Sequence, residues 1–157
     1  MPEGRPSVFF DLYVASQLTG QLLELELANV DLPVEDFALY NALVHFGEVT
    51  PTRLARHLGM PLSTLLFRFA RLESRGHAIR VRNPRDGRSS LLRLSAAGHE
   101  SHDAVRPAFG EAVAAVYAQL ALDEDTVRDA VADLAQAVGA ALDEARDRRL
   151  LEHRRAS

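Results

Sequence analysis

Apolar side chains recur along this chain at two different periods, and the switch between them marks its parts. Val8, Leu12, Ala15, Leu18, Leu22 and Leu25 stand three or four apart, the spacing of one helical face over residues 8–29. Asp31-Leu32-Pro33 interrupts the stripe, and Pro33 suits the first turn of a new helix. Phe37, Leu39, Tyr40, Leu43, Val44 and Phe46 make residues 34–46 apolar on most faces, which predicts a central helix ended by Gly47. Thr50-Pro51 then reads as an N-cap and first helical position, opening a short helix to Leu58 that Gly59 stops.

Residues 60–76 place Leu62, Leu65, Leu66, Phe69 and Leu72 on one helical face. Ser63, Thr64, Phe67, Arg68, Arg71 and Arg75 lie opposite, and Gly76 terminates the helix. Two short helices around a Gly-containing turn, the second basic on its outer face, form a helix-turn-helix pattern. The period then changes to two. Ile79 and Val81 alternate with Arg80 and Arg82, and Leu92 and Leu94 flank Arg93. Between these runs lies N-P-R-D-G-R-S-S, rich in turn formers, so a β-hairpin with a basic tip follows the second helix. Asp86 at that tip can hold Arg88 by a charge-assisted hydrogen bond. Helical spacing returns after Ser95, a cap, with Val105, Phe109, Val113, Val116 and Leu120, and Pro107 is expected to kink that helix. Asp123 caps a last helix carrying Val127, Val131, Leu134, Val138, Leu142 and Ala145. The expected class is mainly α with a small β-hairpin (α+β), a winged helix-turn-helix with N- and C-terminal dimerisation helices.

Charge sharpens this picture. The 157 residues carry formal net charge −4, yet residues 51–93 hold ten arginines against two acids. A basic middle between acidic flanks points to a polyanion as partner for that segment alone. The chain has 47% hydrophobic and 25% charged residues, a globular balance, and no apolar run near the roughly 18–20 residues that span a bilayer. M-P-E-G-R-P-S lacks the basic-then-apolar pattern of a secretory signal, so a cytoplasmic location is expected, with no membrane partner. Cysteine is absent, which excludes disulfides and thiolate chemistry. Six scattered histidines offer no tight ligand cluster, and no nucleophile elbow, Gly-rich phosphate loop or H-E-x-x-H motif occurs. His99 and His102, three apart on one helix, could share a face but fall short of a ligand set. No metal, cofactor or enzymatic activity is expected.

Three stretches carry a family resemblance: L-A-R-H-L (54–58), S-T-L-L-F-R-F-A-R-L-E-S-R-G (63–76) and R-N-P-R-D-G-R-S-S-L-L-R-L-S-A-A-G (82–98). The last is similar to the wing signature of the MarR family of bacterial transcription regulators, with an Asp-x-Arg tip, Leu-Ser closing the second strand, and glycine three residues on. The resemblance implies a homodimer built from the terminal helices, usually a repressor relieved by a small ligand. It divides the chain into a dimerisation region (1–30 and 96–150), a DNA-binding domain (31–95) and a flexible tail (151–157).

The chemistry of the duplex then suggests roles. Arginines on helix and wing would neutralise phosphates and release counterions. Ser63, Thr64, Phe67 and Arg68 would read bases in the major groove, where arginine pairs with guanine and a phenyl or methyl meets thymine methyls. Arg88, with Arg85 beside it, would enter the minor groove, while Arg71 adds to the basic face. A two-fold dimer would set the two recognition helices roughly 34 Å apart, one turn of DNA. The partners expected are double-stranded DNA at a pseudo-palindromic operator, a second copy of the chain, and a small-molecule effector. The effector's pocket is expected where helices 8–29, 34–46 and 96–121 meet. One alternative stays open: a winged-helix protein-interaction module without operator binding.

Overall fold

The computed structural model describes residues 7–28 and 34–156. In order, the elements are α1 (Val8–Glu26), α2 (Val34–Phe46), α3 (Pro51–His57), α4 (Leu62–Ser74), β1 (Ala78–Arg82), β2 (Ser90–Leu94), α5 (Ala96–Tyr117) and α6 (Glu124–Ala156). The break expected at Asp31-Leu32-Pro33 lies outside the described residues. The chain forms two units, one through Ala114 and one from Ala115 onward.

The core of the first unit is the apolar face of every element from α2 to α5. Leu39, Tyr40 and Leu43 of α2, Leu54 of α3, Leu65, Phe69 and Leu72 of α4, Leu92 of β2 and Val105 of α5 are all buried. Each such side chain contributes about 1.5–3 kcal/mol of burial. The two short helices begin and end as their residues dictate. Thr50 accepts the Arg53 amide and Pro51 takes the first helical position. Gly59 ends α3 with φ +62°, a left-handed turn that a side chain would strain.

The strands pair antiparallel, Ala78 with Leu94, Arg80 with Leu92 and Arg82 with Ser90. The register sets Ala78 and Arg80 opposite buried Leu94 and Leu92, the reverse of the apolar parity, although burial along β1 does not alternate. Ala78 is buried and Ile79 is exposed. Arg80 shares the face of Ala78 and Leu92, its guanidinium 5.2 Å from the Phe69 ring centroid and hydrogen-bonded to both Glu73 oxygens at 3.1 Å. An aromatic face and a carboxylate hold the Arg80 side chain along this face while its end stays exposed. Val49 adds one bridge to Leu92, so the α2–α3 loop is stitched to the wing.

The wing is rooted where β2 meets α5. Ser95 Oγ donates to the Gly76 carbonyl at 2.5 Å and accepts the Gly98 amide at 3.1 Å. The Ser95 amide donates to the His77 carbonyl at 2.9 Å. Gly98 is buried against that same carbonyl.

The helices beyond the core keep apolar stripes in the open. α1 buries no residue, and Phe9, Tyr13, Leu18 and Leu25 are exposed. α5 runs unbroken through Pro107. In the second unit, Asp123 caps α6 by accepting the Thr126 amide at 2.9 Å and its hydroxyl at 2.6 Å. The side-chain and backbone hydrogen bonds from Thr126 hold the Asp123 carboxyl below its ordinary pKa. α6 extends through Ala156, so the tail expected to be flexible at 151–157 is helical as far as that residue. Its R-R-L-L-E-H-R-R-A sequence contains good helix formers and no glycine or proline to stop it. Val131 and Leu150 on α6 are more than half exposed, and Leu142 is exposed as well.

A β-carbon at position 98 would stand 1.9 Å from the His77 carbonyl oxygen, while one at Gly110, on the same helix, would meet nothing within 4 Å. Gly98→Ala should therefore cost about 1–3 kcal/mol or more in denaturant unfolding, and Gly110→Ala should be neutral or stabilising by up to about 1 kcal/mol. Equal effects of the two substitutions would remove the steric account of the joint.

Candidate nucleic-acid interface

The outer face of α4 is made by residues whose helical phase points away from the Leu65-Phe69-Leu72 seam. Ser63 is exposed, Thr64 and Arg68 are half-buried, and Phe67 is 68% exposed. The exposed phenyl ring is open to an apolar contact from outside the chain.

Arg71 and Arg75 behave differently from the rest of that face. Both turn toward α2, where Asp36 is completely buried, at 3.6 Å from Arg71 and 3.9 Å from Arg75. Neither Asp36 oxygen has a hydrogen bond among the described residues. A desolvated carboxylate held by two guanidinium groups ties the C-terminal half of α4 to α2, since losing either cation would leave the charge poorly compensated. Periodicity alone placed both arginines outward; the buried acid draws them in.

Tyr40 extends this polar seam. Burial pushes its phenol above the ordinary value, opposed by Arg75. Its oxygen lies 2.6 Å from Nδ1 of His77. On the other side of α2, buried His102 meets Asn41 at 2.9 Å and stacks on Phe37, which also packs on Phe109. These rings pack together at the α2–α5 contact. His99 is exposed while His102 is buried, so the two do not share a face. Among the described residues no group of three or more His, Asp or Glu side chains could hold a metal ion.

The wing tip is shaped by its own short polar side chains. Asn83 Oδ1 accepts the Arg85 amide at 3.0 Å, and its Nδ2 donates to Ser89 Oγ at 2.8 Å. Asp86 Oδ1 accepts the Arg88 amide at 3.1 Å, and the Asp86 carbonyl accepts the Ser89 amide at 3.0 Å. Asp86 therefore holds Arg88 by its backbone; among the described residues no ion pair joins their side chains. A carboxylate two residues before an amide closes an Asx turn more readily than it follows a long mobile guanidinium. Arg85, Asp86 and Arg88 are all exposed.

Ten arginines crowd residues 51–93, but they are not one population. Arg71 and Arg75 face Asp36, Arg80 faces Glu73, and Arg93 lies 3.8 Å from Glu48. The sequence reading missed Asp36 and Glu73 as partners. Asp36 is one of two adjacent acids opening a helix whose next turns are mostly apolar, and that position was the available signal for the first.

Two short helices, an outward polar face and a two-stranded wing define the winged helix-turn-helix class. No family model and no curated protein matches the chain, but solved structures do. A probable transcriptional regulator from Pseudomonas aeruginosa is 30% identical, covering 82% of this chain and 96% of its own, with TM-score 0.68. The PcaV transcriptional regulator from Streptomyces coelicolor, solved with its natural ligand, is 26% identical over 86% and 99%, with TM-score 0.67. A mutant MarR from E. coli complexed with operator DNA shares the fold at 23% identity, 78% and 88% coverage and TM-score 0.69. The chain belongs to the MarR family of winged helix-turn-helix transcription regulators.

The Asx turn at the tip generates a direct check. In Asp86→Ala the Arg88 amide should exchange faster, by the roughly 0.5–1.5 kcal/mol of one hydrogen bond, while Asp86→Asn keeps the acceptor and the protection. Global unfolding should hardly change in either. Unaltered Arg88 exchange in the alanine variant would show that the carboxylate does not shape the wing.

Proposed function

We propose that this chain is a sequence-specific transcription regulator that grips double-stranded DNA as a homodimer and responds to a small ligand. The observation that carries the reading is the pairing of an outward-facing α4 with a preformed basic wing beside it. Ser63, Thr64, Phe67 and Arg68 suit the major groove, with Phe67 offered to a thymine methyl and Arg68 to guanine. Arg88 at the exposed tip suits the flanking minor groove, where negative potential concentrates. Asp86 contributes shape rather than charge. Arg71, half engaged by Asp36, adds phosphate attraction with restricted reach. In the relatives, one structure holds operator DNA and another a natural ligand, and both features enter this proposal by that likeness.

The same reading keeps residues 31–95 as the DNA-binding domain, and 1–30 with 96–150 as the dimerisation region. Exposed apolar stripes on α1 and α6 support the second assignment. It gives the chain no catalytic role and places it in the cytoplasm, where its duplex is. No described helix is long and apolar enough to cross a membrane.

Binding isotherms on duplexes selected from a random pool test the reading. Arg68→Ala should cost about 1–3 kcal/mol per base contact and relax preference at one position in each half-site. Arg88→Ala should weaken every duplex by roughly tenfold or more. Asp86→Ala should also weaken binding, although it makes the protein more basic. Absence of any salt-dependent duplex binding would favour a winged helix that docks on protein instead. For the dimer, deleting residues 1–25 should yield monomer or aggregate by light scattering; an intact, well-behaved dimer would exclude those helices from the interface.

A further inference from the structure

Between the α2–α3 loop and the wing lies a cleft of about 370 Å³. We propose that it seats one phosphate of the duplex backbone, clamped by Arg53 from α3 and Arg85 from the wing, with the Thr50 hydroxyl as a third donor. The proposal rests on the DNA-binding reading and adds to it a contact separate from the α4 face and from the Arg88 tip.

Three observations point to an anion. Both cations lining the cleft are arginines, whose planar forks match phosphate oxygens. Its single carboxylate, Glu48, lies 3.8 Å from Arg93, which offsets that charge. Thr50 Oγ1 accepts the Arg53 amide, leaving its own proton to donate.

The cleft is also preorganised. Val49 donates to the Leu92 carbonyl at 3.1 Å and accepts the Leu92 amide at 2.8 Å, which locks the loop before α3 to the wing's second strand. Arg53 holds its guanidinium 4.8 Å from the Phe46 ring centroid, so its orientation is set before any ligand arrives. Asn83 lines the opposite wall with its side chain committed to the Arg85 amide and Ser89. Little ordering remains to be done on binding. Geometry of the duplex supplies the occupant. A ribbon of phosphates separates each major groove from the minor groove beside it. A protein with a helix in one groove and a wing tip in the next must meet that ribbon between them.

The test measures the full-length protein's affinity for operator and unrelated duplexes across a salt series, using Arg53→Gln and Arg85→Gln. Each variant should reduce the slope of log K against log salt by up to about 0.9 per protomer, the double variant by no more than that, and leave the operator-to-unrelated ratio unchanged. Arg85 is exposed on the wing, so a folding defect cannot account for its effect. Replacing backbone phosphates one at a time with neutral methylphosphonate should identify one position per half-site that weakens the wild type and costs Arg53→Gln nothing further. Wild-type slopes in both variants, or additive losses at every phosphate, would overturn the clamp while leaving the DNA-binding reading intact. Failure of the wild type to bind any duplex would overturn both. Inorganic phosphate, added at constant ionic strength, should not compete saturably with the duplex. Saturable release in the wild type and none in Arg53→Gln would make the cleft a site for a free anion and overturn the clamp.

Discussion

Two stretches of backbone meet at Gly98 with no room for a β-carbon between them, and the placing of the wing depends on that contact. Ser95, three residues earlier, ties the same point with two hydrogen bonds from its hydroxyl and one from its amide. Gly76 closes the recognition helix and His77 leads into β1, so these bonds join the end of α4, the root of the wing and the start of α5. A rotation of the wing about its root would have to break all of them together. The Leu-Ser-x-x-Gly tail of the wing signature thus has a steric and capping cause. It touches no base, yet it decides where the arginines ahead of it can reach.

Electrostatics adds a second layer. The basic segment looks like one reservoir of positive charge, but desolvation divides it. A carboxylate with no access to water draws Arg71 and Arg75 toward α2, because the cost of leaving it alone exceeds the cost of immobilising two side chains. Arg80 lies between Phe69 and Glu73 and serves the hairpin's inner face. Arg85 and Arg88 at the wing tip are exposed. Net charge therefore overstates the cations on offer to a polyanion, because one buried acid and two more exposed ones already engage four of them.

Much of this was legible in the sequence because the signals were redundant. Each short helix had a cap or an initiating proline, an apolar seam and a terminating glycine, and the turn chemistry of N-P-R-D-G left little choice for the hairpin. The inward parity of β1 was not legible. Period two fixes alternation but not which alternate faces the core, and Ile79 looks more inward than Ala78 or Arg80 until Phe69 and Glu73 are known to lie beneath. Asp36 was hidden for a related reason. Its partners lie 35 and 39 residues away in sequence and become neighbours only when α4 packs on α2. At the other end of the chain, residues 150–156 contain no helix breaker, and α6 runs through Ala156.

Asp86 shows why shape and charge must be separated when a wing is read. Counted as a charge, it works against every arginine around it. Its oxygen instead closes a turn on the Arg88 amide, as Asn83 closes another on the Arg85 amide. Two consecutive Asx turns fix the backbone from which both guanidinium groups project, while the side chains themselves stay exposed. A long flexible cation on an unordered loop would surrender loop and side-chain entropy on meeting DNA. On a preformed tip only the side chain has to be ordered. The acid's repulsion toward phosphate is screened at an exposed tip within about 8–10 Å at physiological salt, whereas the hydrogen bond it accepts is local and persists. The carboxylate is compatible with a polyanion because its contribution is geometric.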